Sequence, residues 1–156
     1  MSNFTEYFKE RNLNTGVSIF VLITFVAYIL TISFSPGYFL YADLQFLVGA
    51  IFGCIFTLKF RQPEKSILKY GIITGIAGGF LSSMFISLYI TVPVFVIIGP
   101  NIINYLIWLG YMCITGLSVG VLTGALLGAY YMYKEMKGEN EEKGIDDDFY
   151  KDLVEK

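Results

Sequence analysis

Residues 70–133 read YGIITGIAGGFLSSMFISLYITVPVFVIIGPNIINYLIWLGYMCITGLSVGVLTGALLGAYYMY, and hold no Asp, Glu, Lys, Arg or His. A helix needs about 20 apolar residues to cross a hydrocarbon core roughly 30 Å thick. This run is long enough for two passes, with a break near Gly99 and Pro100. Toward the N-terminus, residues 12–42 are also uncharged, and Asp43 alone separates them from the uncharged 44–58. Each of those runs holds one more pass. The expected fold is therefore all-α: a polytopic membrane protein built as a four-transmembrane-helix bundle. Its spans fall at about 15–34, 44–60, 67–98 and 102–133, within a bundle 15–133. A cytoplasmic segment 1–14 precedes it and an acidic cytoplasmic tail 134–156 follows.

Composition agrees. The chain has 156 residues, 55% of them hydrophobic, with a mean hydropathy of +0.62, outside the soluble globular range. The segments are apolar all round rather than along one stripe. Net charge is −2, but its distribution says more than its sum. All Lys and Arg fall at Lys9 and Arg11, at Lys59, Arg61, Lys65 and Lys69, or in the tail from Lys134 onward. Short loops rich in Lys and Arg stay cytoplasmic, so the expected topology is N-in/C-in in the plasma membrane. The first apolar run is too long for a cleaved signal peptide and no small-x-small site follows it. Ser2 stands where N-myristoylation needs glycine, and no CaaX box ends the chain.

Aromatic residues mark the same boundaries. Ser35, Pro36 and Gly37 signal a turn, and Tyr38 and Tyr41 follow where an outer aromatic belt belongs. In span 4, Trp108 and Tyr111 are expected at the outer interface, and Tyr130, Tyr131 and Tyr133 at the inner one. Tyr111 and Tyr130 stand about 28 Å apart along a helix, close to the core thickness. Near the N-terminus, Phe4, Tyr7 and Phe8 share a helical face, which fits a short interfacial helix. A frayed flank fits equally. Of the tail, 134–143 reads as solvated and disordered. Residues 146–154 could start a short amphipathic helix, with three aspartates at its N-terminal end.

Inside the membrane the most specific pattern is glycine at four-residue spacing. Span 4 carries Gly116, Gly120, Gly124 and Gly128; span 3 carries Gly71, Gly75 and Gly79, continued by Ser83 and Ser87; span 2 carries Gly49 and Gly53. Each stripe makes a shallow groove on one helix face. Glycine costs roughly 1 kcal/mol per helical position in a soluble host, a cost that close packing offsets. Lipid supplies little hydrophobic drive between helices, so small-xxx-small faces hold them by backbone approach. Glycine-zipper packing is expected, either among spans 2, 3 and 4 of one chain or, from span 4, outward onto a second copy or another membrane protein.

Arg61, Gln62 and Pro63, between two glycine-rich spans, resemble the polar loop of the rotor-ring c subunit of ATP synthases. That family carries a mid-membrane carboxylate that spans 2 and 3 lack, so the likeness implies no proton transport. The glycine-rich hairpin and the striped last span are similar to small four-span prokaryotic, often archaeal, membrane-protein families of unknown function. That likeness implies a fold and no activity.

No catalytic, cofactor-binding or metal-ligating residues are expected. The chain has no histidine, which excludes common zinc sites and histidine bases. Intramembrane ionisable groups are functional by default, and these spans have none. Cys54 and Cys113 read as small packing residues at different depths. The only certain partner class is the lipid bilayer; nothing suggests nucleic acid. The expected function is non-enzymatic, an accessory, assembly or scaffold subunit acting through helix–helix association. The alternative is a homo-oligomeric channel or small-solute transporter with an uncharged path lined by Thr74, Ser83 and Ser87.

Overall fold

The computed structural model describes residues 12–34, 43–61, 66–99 and 101–142. They form four α-helices: α1 (Asn12–Phe34), α2 (Asp43–Lys59), α3 (Ile67–Ile98) and α4 (Ile102–Glu142). No strand occurs among the described residues. Three of the helices, α1, α3 and α4, are long and apolar enough to cross a membrane. The 17-residue α2 is shorter, with Asp43 and Lys59 at its ends.

Local chemistry sets the helix ends. Asn101 Oδ1 accepts from the amides of Ile103 (3.1 Å) and Asn104 (3.2 Å), an N-cap that satisfies two of the orphan donors opening α4. Gly99 ends α3 at φ +93°, with its amide bonded to Phe95 O at 3.0 Å; a residue with a Cβ rarely adopts that φ. Pro93 lies inside α3 without ending it. Its missing amide leaves a carbonyl unpaired one turn earlier, a loss tolerated near a helix end.

Contacts reveal the topology. Residues of α3 meet α4 in reverse order, Gly71 with Gly124, Gly75 with Gly120 and Gly79 with Gly116. The α1–α2 pair runs the same way, from Gly16 beside Thr57 to Thr24 beside Gly49. Between α1 and α3 the order is parallel, Phe20 against Gly78 and Tyr28 against Tyr89. The chain therefore runs up-down-up-down. The α3–α4 interface is the most extensive and α1–α2 follows, whereas α1 and α4 share none. In cross-section α2 and α3 form the short diagonal of a rhombus, with α1 and α4 at its far corners. Phe20, Tyr28, Phe46, Ala50, Ile86 and Met112 fill the centre.

Two boundaries differ from the sequence reading by more than one residue. Helix α1 starts at Asn12, whose side-chain amide donates to Thr57 O at 3.1 Å and ties the first turn to α2. Helix α4 continues to Glu142, so 134–142 is helical rather than disordered. Lys134, Glu135, Met136 and Lys137 are good helix formers, extending an existing helix needs no new nucleus, and Glu135 bonds Arg61. The interfacial helix expected within 1–11, the turn at 35–37, the belt residues Tyr38 and Tyr41, and the segment 146–154 lie outside the described residues.

Candidate functional site

The glycine stripes of α3 and α4 face each other, and backbone meets backbone between them. A Cβ added at Gly71, Gly75 or Gly79 would overlap the carbonyl oxygens of Gly124, Gly120 and Gly116 respectively. The reverse holds: a Cβ at Gly120 would lie 2.9 Å from the Gly75 carbonyl carbon, and one at Gly124 2.7 Å from that of Gly71. Gly128 continues the seam against Leu68 Cα, at 3.1 Å from its would-be Cβ. At the other end Ser83 Oγ takes the place of a glycine, 2.6 Å from the would-be Cβ of Gly116. All four α4 stripe glycines are buried. The outward-facing α4 stripe considered from sequence is thus corrected: its neighbour is α3 of the same chain.

A second seam joins α1 to α2. Gly49 and Gly53 receive Phe20 and Thr24 of α1, and Gly16 receives Thr57 of α2. Phe20 is the keystone, with no exposed surface. Its would-be neighbours are glycines on two helices: a Cβ at Gly53 would come 2.7 Å from Phe20 Cβ, at Gly49 3.0 Å from Cδ2, and at Gly78 2.5 Å from Cγ. The ring occupies a socket made by the absence of three side chains. Gly16 and Gly78 escaped the sequence reading because neither has another glycine four residues away, and Phe20 because it is not a glycine. Gly78 beside Gly79 was the available signal, since two adjacent glycines face two different neighbours on a helix.

Several polar groups in the interior are held by backbone. Thr57, Thr74, Ser83 and Thr91 donate to the carbonyl four residues back, at 3.0, 2.8, 2.7 and 2.7 Å, the usual way a hydroxyl is satisfied within a helix. Others cross between helices. Thr74 bonds Thr57 Oγ1 at 3.1 Å, Ser83 bonds Met112 O at 2.8 Å, and Gln45 donates to Thr31 Oγ1 at 3.0 Å. Each serine or threonine carries one proton, so the paired geometries of Thr74 and Ser83 are alternatives at one hydroxyl. Thr24, Ser82 and Ser87 are buried without a hydrogen-bond partner. Thr24 Oγ1 lies directly over Gly49, where a weak Cα–H···O contact is the available compensation.

The interior placement bears on the path residues. Thr74, Ser83 and Ser87 have no exposed surface, so they face the inside of one bundle and not a surface shared between copies. Trp108 and Tyr111, expected at an outer interface, stand beyond the first turn of α4, which begins at Ile102. Trp108 packs on the central cluster, and the Ser83 bond to Met112 puts its neighbour Tyr111 beside the middle of α3. The two rings meet edge to face at 6.4 Å. Tyr130 and Tyr133 are exposed on the far part of α4, and Tyr131 is half-buried. Cys54 and Cys113 are free thiols, and Cys54 Sγ points at Gly71 O, 3.7 Å away.

Among the described residues all charges except Asp43 lie at one end. Arg61 Nη2 donates to Glu135 Oε1, joining the end of α2 to the far part of α4. The Arg61 side chain is 6% exposed and that of Glu135 57%. Among the described residues no group of three or more His, Cys, Asp or Glu could hold a metal. A surface groove of about 510 Å³ runs between α1 and α3 and is lined by Val17, Val21, Leu22, Phe25, Leu81 and Phe85, with Ser18 and Val26 completing it. No protein-family model matches the chain, and no curated protein or solved structure was found similar to it.

Proposed function

We propose that this chain is a non-enzymatic integral membrane protein that works by helix–helix association, as an accessory, assembly or scaffold subunit. The observation that carries the reading is the division of its surfaces. Large apolar side chains stand exposed on all four helices, among them Leu22, Phe52, Phe85 and Ile114, whereas Asn12, Thr57, Thr74, Ser83 and Thr91 are buried and bonded to backbone carbonyls. Water would penalise such an outer surface; lipid and other apolar helices would not. Helix α2 is the fourth span in this reading, since it packs along α1, and its ends are the charged Asp43 and Lys59. The glycine seams are a glycine zipper within the chain, and both termini are cytoplasmic in the plasma membrane.

Because the glycine face of α4 is taken by α3, association with a second copy or another membrane protein uses the opposite face, where Leu122 and Leu126 are exposed. Purification in mild detergent, with mass measured by light scattering and composition by mass spectrometry, tests this. A stoichiometric membrane partner or a defined oligomer is expected; a monomer without a copurifying protein refutes association. Topology is tested separately with single cysteines in a cysteine-free background. Positions 38 and 101 should label from outside intact cells and position 62 should not. The homo-oligomeric channel has less support, because its uncharged lining residues lie inside each bundle. Ion or solute flux through purified protein in liposomes would reverse that ranking.

A further inference from the structure

The alternating topology brings the end of α2, the start of α3 and the far part of α4 to one end of the bundle. Lys59, Lys69 and Lys134 are all exposed there, and Arg61 lies among the same elements, bonded to Glu135. At the opposite end Asp43 is the only charged residue among those described. Apolar and aromatic side chains flank the lysines: Leu68 is exposed beside Lys69, and Met132 and Tyr133 are exposed beside Lys134. Phe56 and Phe60, one turn apart beside Lys59, meet at a tilt with their centroids 4.7 Å apart. Lysines set among such residues lay their stems on apolar surface and raise their ammonium groups to the layer where phosphates lie.

We propose that Lys59, Lys69 and Lys134 form a collar that binds the headgroups of anionic phospholipids. The proposal rests on the membrane reading above. Charge complementarity names the occupant: three exposed cations on three helices face a layer in which anionic lipid is the abundant counter-charge, and each cation near such a surface adds to binding. The chain's own acidic tail is the competing occupant. Its carboxylates would have to be carried into the interface, whereas lipid phosphates already lie at that depth.

The test uses the full chain in vesicles of equimolar phosphatidylglycerol and phosphatidylcholine, followed by gentle extraction and native mass spectrometry of the retained lipids. Phosphatidylglycerol should be enriched. The K59Q/K69Q/K134Q variant should lose that enrichment by up to about fivefold per lysine, and K59R/K69R/K134R should keep it. Equal retention of both lipids by the wild type, or unchanged enrichment in the glutamine variant, overturns the collar. Enrichment that emerges only in D146N/D147N/D148N means that the acidic tail occupies the collar, and also overturns it. Alkaline carbonate washing separates the two readings. A chain stripped from the vesicles fails the membrane reading, whereas one that stays embedded but ignores lipid charge fails only the collar.

Discussion

Replacing Gly120 by alanine adds one methyl group at the point where α3 and α4 approach through their backbones. Its Cβ would lie 2.9 Å from the Gly75 carbonyl carbon and closer still to its oxygen. Ordinary contact needs about half an ångström more from the carbon and more again from the oxygen. No flexible side chain can move aside, so the two helices must separate. Overpacking of this kind costs about 1–3 kcal/mol, and rigid backbone places it toward the upper end. Alanine returns about 1 kcal/mol through its better helix propensity, leaving a net loss of about 1–2 kcal/mol. Gly110 provides the control on the same helix, because a Cβ there meets nothing within 4 Å. Gly110→Ala should therefore stabilise by up to about 1 kcal/mol. Equilibrium unfolding of the purified protein in mixed micelles measures both. Equal effects at the two positions, or a gain at Gly120, would refute the backbone-contact reasoning.

The bulkier Gly124→Ile should reduce folded protein and thermal stability while leaving the particle mass of the surviving material unchanged, since its neighbour is Gly71 of the same chain; intact stability with a lost partner would place that face outward. Phe20→Ala empties the three-glycine socket and should cost about 3–5 kcal/mol, read as a shifted unfolding transition; a loss below about 1 kcal/mol would mean the glycines close over the gap. Glu135→Gln or Arg61→Gln should speed amide hydrogen exchange in 134–142 by about fivefold, corresponding to about 1 kcal/mol for a pair whose carboxylate is more than half exposed. Exchanging the two charges by R61E with E135R should recover part of the protection, and unchanged exchange in all three variants would show that the extension is held by other contacts.

How much of this was legible beforehand depends on the physics each feature uses. Uninterrupted apolar runs located the helices, because a span must be long and uncharged whatever it packs against. The four-residue stripes named the glycines of the α3–α4 seam. Which face met which helix was not legible, since spacing carries no information about the neighbour. Phe20 looks like any aromatic in an apolar run until Gly49, Gly53 and Gly78 are assembled around it from two other helices. The packing of Trp108 on the central cluster was not legible for a related reason: its neighbours come from other helices, and the level at which α4 meets α3 is set by the Ser83–Met112 bond. The extension of α4 was missed because a charged composition was weighed without the ion pair waiting on α2.

The regular spacing of the α3–α4 seam also creates an ambiguity of translation. If α4 slid by one repeat along α3, Gly71 would face Gly120 and Gly75 would face Gly116, so two of the three glycine pairs would survive. Such a slip moves the helices about 6 Å past one another, and a ruler with identical marks cannot report which one is aligned. The true alignment must be fixed by features that do not repeat. Two such features lie along the seam, the Ser83 hydroxyl on the Met112 carbonyl and Leu68 against Gly128, and a third, Arg61 with Glu135, holds α4 from the end of α2. After a slip in this direction Gly79 would meet Met112, whose long side chain has no groove to enter. The smooth, repetitive part of the interface therefore supplies adhesion, and its few irregular residues act as detents that select one position among near-equivalent ones.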